Sequence, residues 1–175
     1  MELIRGLQNI KPEHRGCVMT VGNYDGVHLG HQQMIGALQR RAAQFGCPGT
    51  VLVFEPSSKE FIDPQGAPPR LTRWREKYLA LAALGVERLV TLRFDAHIRA
   101  MSPQAFVDEL IVGALGARHV VVGDDFHYGR HAAGTIGTLA AAGPAGGFTV
   151  EQIPPFVIEG VRVSSTAVRL SLIHI

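Results

Sequence analysis

The sequence predicts an α/β fold: a doubly wound, mostly parallel sheet with helices packed on both faces. Two observations carry this. Short β-branched runs alternate with longer stretches whose apolar residues recur at helical spacing, a rhythm that requires crossover connections. The residues of unusual chemistry also fall almost entirely in the loops that follow the strands, where ligands bind in open α/β sheets.

Taken in order, Cys17-Val18-Met19-Thr20-Val21 reads as a buried strand. Residues 32–45 follow as a helix, with Met34, Ile35, Leu38 and Ala42 at helical spacing and Gly46 as a C-terminal stop. Thr50-Val51-Leu52-Val53-Phe54 is the second strand. Thr72 is placed to cap a helix carrying Leu79, Leu81 and Leu84, ended by Gly85. Residues 88–92 form the third strand. Ser102-Pro103 opens a helix reaching about Leu115, with proline in the first turn where no backbone donor is needed. His119-Val120-Val121-Val122 is the fourth strand and residues 148–153 the fifth, while residues 140–147, rich in Ala and Gly, read as a helix end and turn. The loops at 22–31, 55–71, 93–101 and 123–134 are therefore the ones expected to matter.

A chain of 175 residues, 46% hydrophobic and 18% charged, is a globular domain of ordinary size. A net charge of +2 argues against a nucleic-acid partner, which calls for a clustered basic face. Cys17 and Cys47 lack metal spacing and read as free thiols in a reducing compartment. The N-terminus has no signal-peptide pattern, and no window reaches the roughly 18 apolar residues of a membrane span. A cytoplasmic location is expected, and the oligomeric state is left open.

The chemistry begins in Gly22-Asn23-Tyr24-Asp25-Gly26-Val27-His28-Leu29-Gly30-His31. Glycines at every fourth position between a strand and a helix allow positive φ and close approach of a ligand. The helix that follows offers free N–H groups and a positive dipole end, which suits phosphate. The spacing is neither a dinucleotide fingerprint nor a Walker A loop. Instead, His28 and His31 flank Gly30 at the mouth of the helix. Transfer at an α-phosphate needs charge stabilisation on phosphorus and on departing pyrophosphate rather than a covalent nucleophile, and two imidazole donors supply it. No third ligand sits nearby at a familiar spacing, so a metal site is the weaker reading of the pair. Near the other end, Ser164, Ser165 and Thr166 are placed to cap a short helix and donate hydroxyls to phosphate, with Arg169 about one helical turn further on the same side.

Together these two motifs resemble the histidine-glycine-histidine nucleotidylyltransferase superfamily, and within it the prokaryotic FAD synthetase module, usually the N-terminal half of a bifunctional riboflavin kinase/FMN adenylyltransferase. The resemblance extends to Phe54-Glu55-Pro56, Glu60-Phe61, Arg70-Leu71-Thr72 with Glu76-Lys77, and Gly123-Asp124-Asp125-Phe126-His127-Tyr128-Gly129. It implies a Rossmann-like sheet of the His-x-Gly-His type and the reaction of ATP with FMN, aided by Mg²⁺, to give FAD and pyrophosphate. On that resemblance His28, His31 and Arg169 would be catalytic. Gly22, Asn23, Tyr24, Asp25, Gly30, Ser164, Ser165 and Thr166 would bind ATP. Phe54, Pro56, Phe61, Asp125, Phe126 and Tyr128 would line the flavin pocket; metal ligands are not assigned. The chain departs from the family pattern at Ser57-Ser58, His127-Tyr128 and Thr135, all on the flavin side.

Residues 1–169 are expected to form the adenylyltransferase domain, without the riboflavin kinase domain, and residues 170–175 to be a truncated or non-native tail. Two other functions compete: a related nucleotidyltransferase acting on another phosphate ester, disfavoured by the Phe54 and Asp125 loops, and an inactive nucleotide- or flavin-binding module, disfavoured because His28, His31 and Arg169 are all present. Trp74 is expected to pack, Arg70 and Arg73 to face solvent or phosphate equally, and His97, His119 and His131 to be surface or satisfied polar groups.

Overall fold

The computed structural model describes residues 1–173. The five expected strands form, and a sixth joins them: β1 (Glu2–Arg5), β2 (Val18–Val21), β3 (Gly49–Phe54), β4 (Arg88–Leu92), β5 (His119–Gly123) and, later in the chain, Thr149–Ile153. Two hairpin pairs lie outside this sheet, β6 (His127–Tyr128) with β7 (Gly134–Thr135) before the last sheet strand, β8 (Thr149–Ile153), and β9 (Val157–Ile158) with β10 (Val161–Arg162) after it. The main sheet runs β1-β4-β3-β2-β5-β8, and every neighbouring pair is parallel. Chain order reverses between β2 and β5. That is the switch point at which an open α/β sheet forms its ligand crevice, and the turn bearing His28 and His31 leaves β2 there.

Helices cover both faces. On one, α1 (Leu29–Phe45) and α3 (Trp74–Ala83) bury Ile35, Leu38, Ala42 and Leu81 against Val18, Val51 and Leu89. On the other, a π-helical stretch (Phe106–Ala114) and α6 (Ile136–Gly146) bury Phe106, Leu110, Ile111 and Leu139 against Met19, Leu52 and Val120. Strand side chains alternate between these two cores, as the pleat requires. The short α2 (Ser58–Ile62), α4 (Ala96–Ala100) and α5 (Pro103–Ala105) sit in the connections, and α7 (Ser165–Ile173) follows the last hairpin.

Several elements differ from expectation. Residues 103–115 are not one α-helix: α5 runs directly into the π-helical stretch, whose wider turn brings Phe106, Val107, Leu110 and Ile111 all into the core. The third helix starts at Trp74 with Arg73 as its N-cap, because the Thr72 hydroxyl is engaged with Asp25 and the Gly26 amide. Residues 140–146 remain helical despite Pro144, and Gly147 closes the helix in the left-handed conformation. The expected tail is helical through Ile173, and its last two positions lie outside the described residues. Cys17 is buried and Cys47 half-buried, both as free thiols. No helix among the described residues is long and apolar enough to cross a membrane.

Candidate active site

The turn after β2 is tightly wound. Gly26 has φ +82°, and two residues with side chains, Tyr24 (49°) and Val27 (38°), share the left-handed region. For a β-branched valine this is a strained conformation, and such strain collects at ligand sites. The three glycines serve different needs, and only Gly26 requires positive φ. A Cβ on Gly26 would stand 2.8 Å from the Leu71 side chain. One on Gly30 would stand 3.3 Å from the His28 ring and 3.4 Å from the Val163 carbonyl, and one on Gly22 would stand 3.2 Å from the Tyr24 ring.

His28 is the N-cap of α1, its Nδ1 accepting from the His31 amide at 3.4 Å. The two rings stack with centroids 3.7 Å apart and planes within 17°. Tyr24 backs the pair, 4.9 Å from the His31 ring, while its buried hydroxyl bonds to Thr20 at 2.8 Å. Burial is the main force lowering the His31 pKa to about 3, reinforced by His28 and opposed by Asp25. Burial also lowers that of His28, again against Asp25. Both rings are therefore neutral at neutral pH. With Nδ1 of His28 accepting, its proton lies on Nε2, which is left as a donor. Among the described residues Nδ1 of His31 is buried without a partner, an open polar position of the kind found where a ligand completes the site.

Asp25 ties this turn to two distant segments. Its carboxylate accepts from the amides of Leu71 (3.0 Å) and Thr72 (3.0 Å) and pairs with the Arg169 guanidinium. Burial works against its ionisation, but the two amides and Arg169 outweigh it and hold the carboxyl below the usual aspartate range. Arg169 also donates to the Pro69 carbonyl at 2.8 Å, and the Ser165 hydroxyl donates to the Asp25 carbonyl at 2.9 Å. Ser164 caps α7, accepting from the Ala167 amide, and Thr166 is exposed in its first turn. Gly22, Asn23, Tyr24, Asp25, His28, Gly30, His31, Ser164, Ser165 and Arg169 are thus gathered around one turn.

The aromatic candidates lie at the same edge, on the face of the sheet opposite α1. Phe54 and Phe61 each meet the edge or face of Phe94, at 5.6 and 5.5 Å. Phe126 stacks on Tyr128 at 5.6 Å, and Tyr128 is buried with its hydroxyl on Thr138. The Asp125 side chain is exposed and, with Asp124, pairs with Arg162 of the β9–β10 hairpin. Of the divergent positions, Ser57 caps α2 with Glu60 and Thr135 caps α6 with Thr138, so both have local structural work.

Sequence patterning did not expose three features. Arg70 is clamped by Glu55 and Glu60, closing the segment after β3 onto itself. Arg162 pins the C-terminal hairpin to the loop after β5. Lys77 is buried beneath the turn. The Ser57-x-x-Glu60 capping box was the one local signal available for the first; the other two depend on long-range packing.

These features can be set beside known proteins. A crystal structure described as a macrolide-efflux protein from Streptococcus pneumoniae superposes with a TM-score of 0.83 at 25% identity, covering 98% of this chain and 56% of that one. The bifunctional riboflavin kinase/FMN adenylyltransferase of Pseudomonas fluorescens is 46% identical over 172 residues, and that of Escherichia coli K12 41% over 173. Each alignment takes in 98% of this chain and 55% of the relative, so the chain spans about half the length of the curated relatives it matches. The family model for FAD synthetase matches residues 10–167, from just after β1 into the first turn of α7; the chain belongs to the FAD synthetase family.

Proposed function

We propose that this chain is an FMN adenylyltransferase. An oxygen of the FMN phosphate attacks the α-phosphorus of ATP, the bond to the β-phosphate breaks, and FAD and pyrophosphate leave. The observation that carries this reading is the stacked, neutral His28–His31 pair at the N-terminus of α1, in the turn to which Asp25 holds Ser165 and Arg169. Neutral donors and a helix N-terminus stabilise charge that develops in transfer without demanding reorganisation. Arg169, carried by α7, would meet the triphosphate from the other side, with Ser164 and Ser165 shaping the turn. Family membership supports ATP and FMN as the substrates, and Phe54, Pro56, Phe61, Phe126 and Tyr128 are the residues proposed to face the flavin.

Mg²⁺ would enter with the nucleotide. Among the described residues no three His, Cys, Asp or Glu side chains gather as a cage, and Asp25 is committed to Arg169 and two amides. This donor set fits an ion held chiefly by phosphate oxygens and water, which Asn23 and Asp25 of the turn would help to orient. When bound, the ion would neutralise charge on the pyrophosphate. We assign adenylyl transfer, and not riboflavin phosphorylation, to residues 1–169, and place the chain in the cytoplasm with ATP and FMN as its small-molecule partners.

The test is a purified chain incubated with ATP or CTP, and with FMN or another phosphate ester, in Mg²⁺. FAD and pyrophosphate in equal amounts are expected from ATP and FMN. Reaction only with another nucleotide or acceptor, or binding of both substrates without turnover, would overturn the assignment.

A further inference from the structure

Lys77 lies four positions past the Arg73 N-cap of α3 and is only 6% exposed. Its ammonium makes no hydrogen bond or ion pair among the described residues; Glu55, Asp25 and Glu60 act on it only at longer range. Each of those carboxylates is already taken, Glu55 and Glu60 by Arg70 and Asp25 by Arg169. A buried cation near a helix N-terminus opposes both desolvation and the helix dipole. Side chains that break such rules without local compensation mark places where a ligand supplies the missing partner.

Lys77 borders a small cavity also lined by Asn23, Asp25, Ser57, Arg70 and the two carboxylates that Arg70 holds, Glu55 and Glu60. Its volume of about 50 Å³ leaves room for a small anion beside the Lys77 side chain. Asn23 and Asp25 of its lining belong to the same turn that leads to the histidine pair. Its walls come from the turn after β2, from the segment after β3 that also carries Phe61, and from α3. None of its lining residues belongs to α7, which carries Arg169 and Ser165.

We infer that Lys77 is a phosphate-binding residue, and that the phosphate it is placed to hold is the monoester of the acceptor rather than the triphosphate of ATP. The inference rests on the FMN adenylyltransferase reading for the identity of that acceptor. Held there, the monoester would have its negative charge met before it attacks.

The test compares wild type with Lys77→Met and Lys77→Arg, using flavin fluorescence to titrate FMN and riboflavin and calorimetry to titrate ATP and inorganic phosphate. Lys77→Met is expected to weaken FMN at least tenfold, leave riboflavin and ATP within twofold, and abolish phosphate binding; Lys77→Arg should restore part of the loss. Equal loss of FMN and riboflavin, or loss of ATP with FMN intact, overturns the inference. In wild type, the Lys77 ¹⁵Nζ resonance should move with FMN or inorganic phosphate and not with riboflavin, a readout independent of how the variants fold; an unmoved resonance overturns the inference. Failure of the wild type to make FAD while phosphate binding still depends on Lys77 would sink the proposed reaction and leave the anion subsite standing.

Discussion

The guanidinium of Arg169 is paired with the carboxylate of Asp25, a residue 144 positions earlier, and the same carboxylate holds the amides of Leu71 and Thr72. Three segments that share no secondary structure are thereby locked around the turn that carries His28 and His31. Both partners are largely shielded, with side chains 14% and 18% exposed, so the pair is screened less than a surface salt bridge.

Removing either partner leaves the other half-buried and unmatched. Asp25→Ala and Arg169→Ala are each expected to cost about 1–3 kcal/mol in urea unfolding. The double variant should cost less than the sum, with a coupling of about 0.5–3 kcal/mol. Strict additivity would show that the two side chains do not act as a unit.

Stability should fall in acid through His31. Its folded pKa, near 3, lies below the ordinary 6.5, so between those values the unfolded chain binds a proton that the folded chain refuses. Stability contributed by keeping the ring neutral is thus complete above pH 6.5 and erodes as pH drops toward 3. Glu60, held down at about 2 chiefly by Arg70, adds a loss that begins below the usual 4.5. Urea midpoints measured from pH 8 to 4 should decline for wild type and decline less steeply for His31→Gln; identical slopes would contradict the burial-driven shift.

Gly26→Ala tests the turn itself. The new Cβ would face the Leu71 side chain at 2.8 Å from a backbone at φ +82°, a conformation that alone costs about 1–2 kcal/mol for an L residue. The variant should melt lower and bind ATP more weakly, because the displaced Leu71–Thr72 segment is what Asp25 holds. An unchanged melting temperature and ATP affinity would show that the turn relaxes freely.

Much of the frame was legible in the sequence because the signals are local. Five of the six sheet strands and α1 follow from short β-branched runs and 3.6-residue spacing, and the His28–His31 and Ser164–Arg169 motifs each lie within a short stretch of chain. β1 escaped because Glu2 and Arg5 flank only two apolar residues; it becomes a strand by pairing with β4, as with Leu3 opposite Leu89. α2 escaped among the prolines of the 55–71 loop, although Ser57 and Glu60 carried a capping signature. The reach of Asp25 to residues 71, 72 and 169 and the burial of Lys77 arise only when the sheet brings distant segments together, and a lone lysine on a helix gives no hint of it.

The central claim is that the two imidazoles at the α1 N-terminus stabilise adenylyl transfer, and the rate of FAD formation by wild type and His28→Ala at saturating ATP and FMN tests it most directly. The account predicts a loss in turnover of about 10²–10³-fold with FMN affinity unchanged, the cost of removing one preorganised donor. A His28→Ala chain that turns over at the wild-type rate would contradict it.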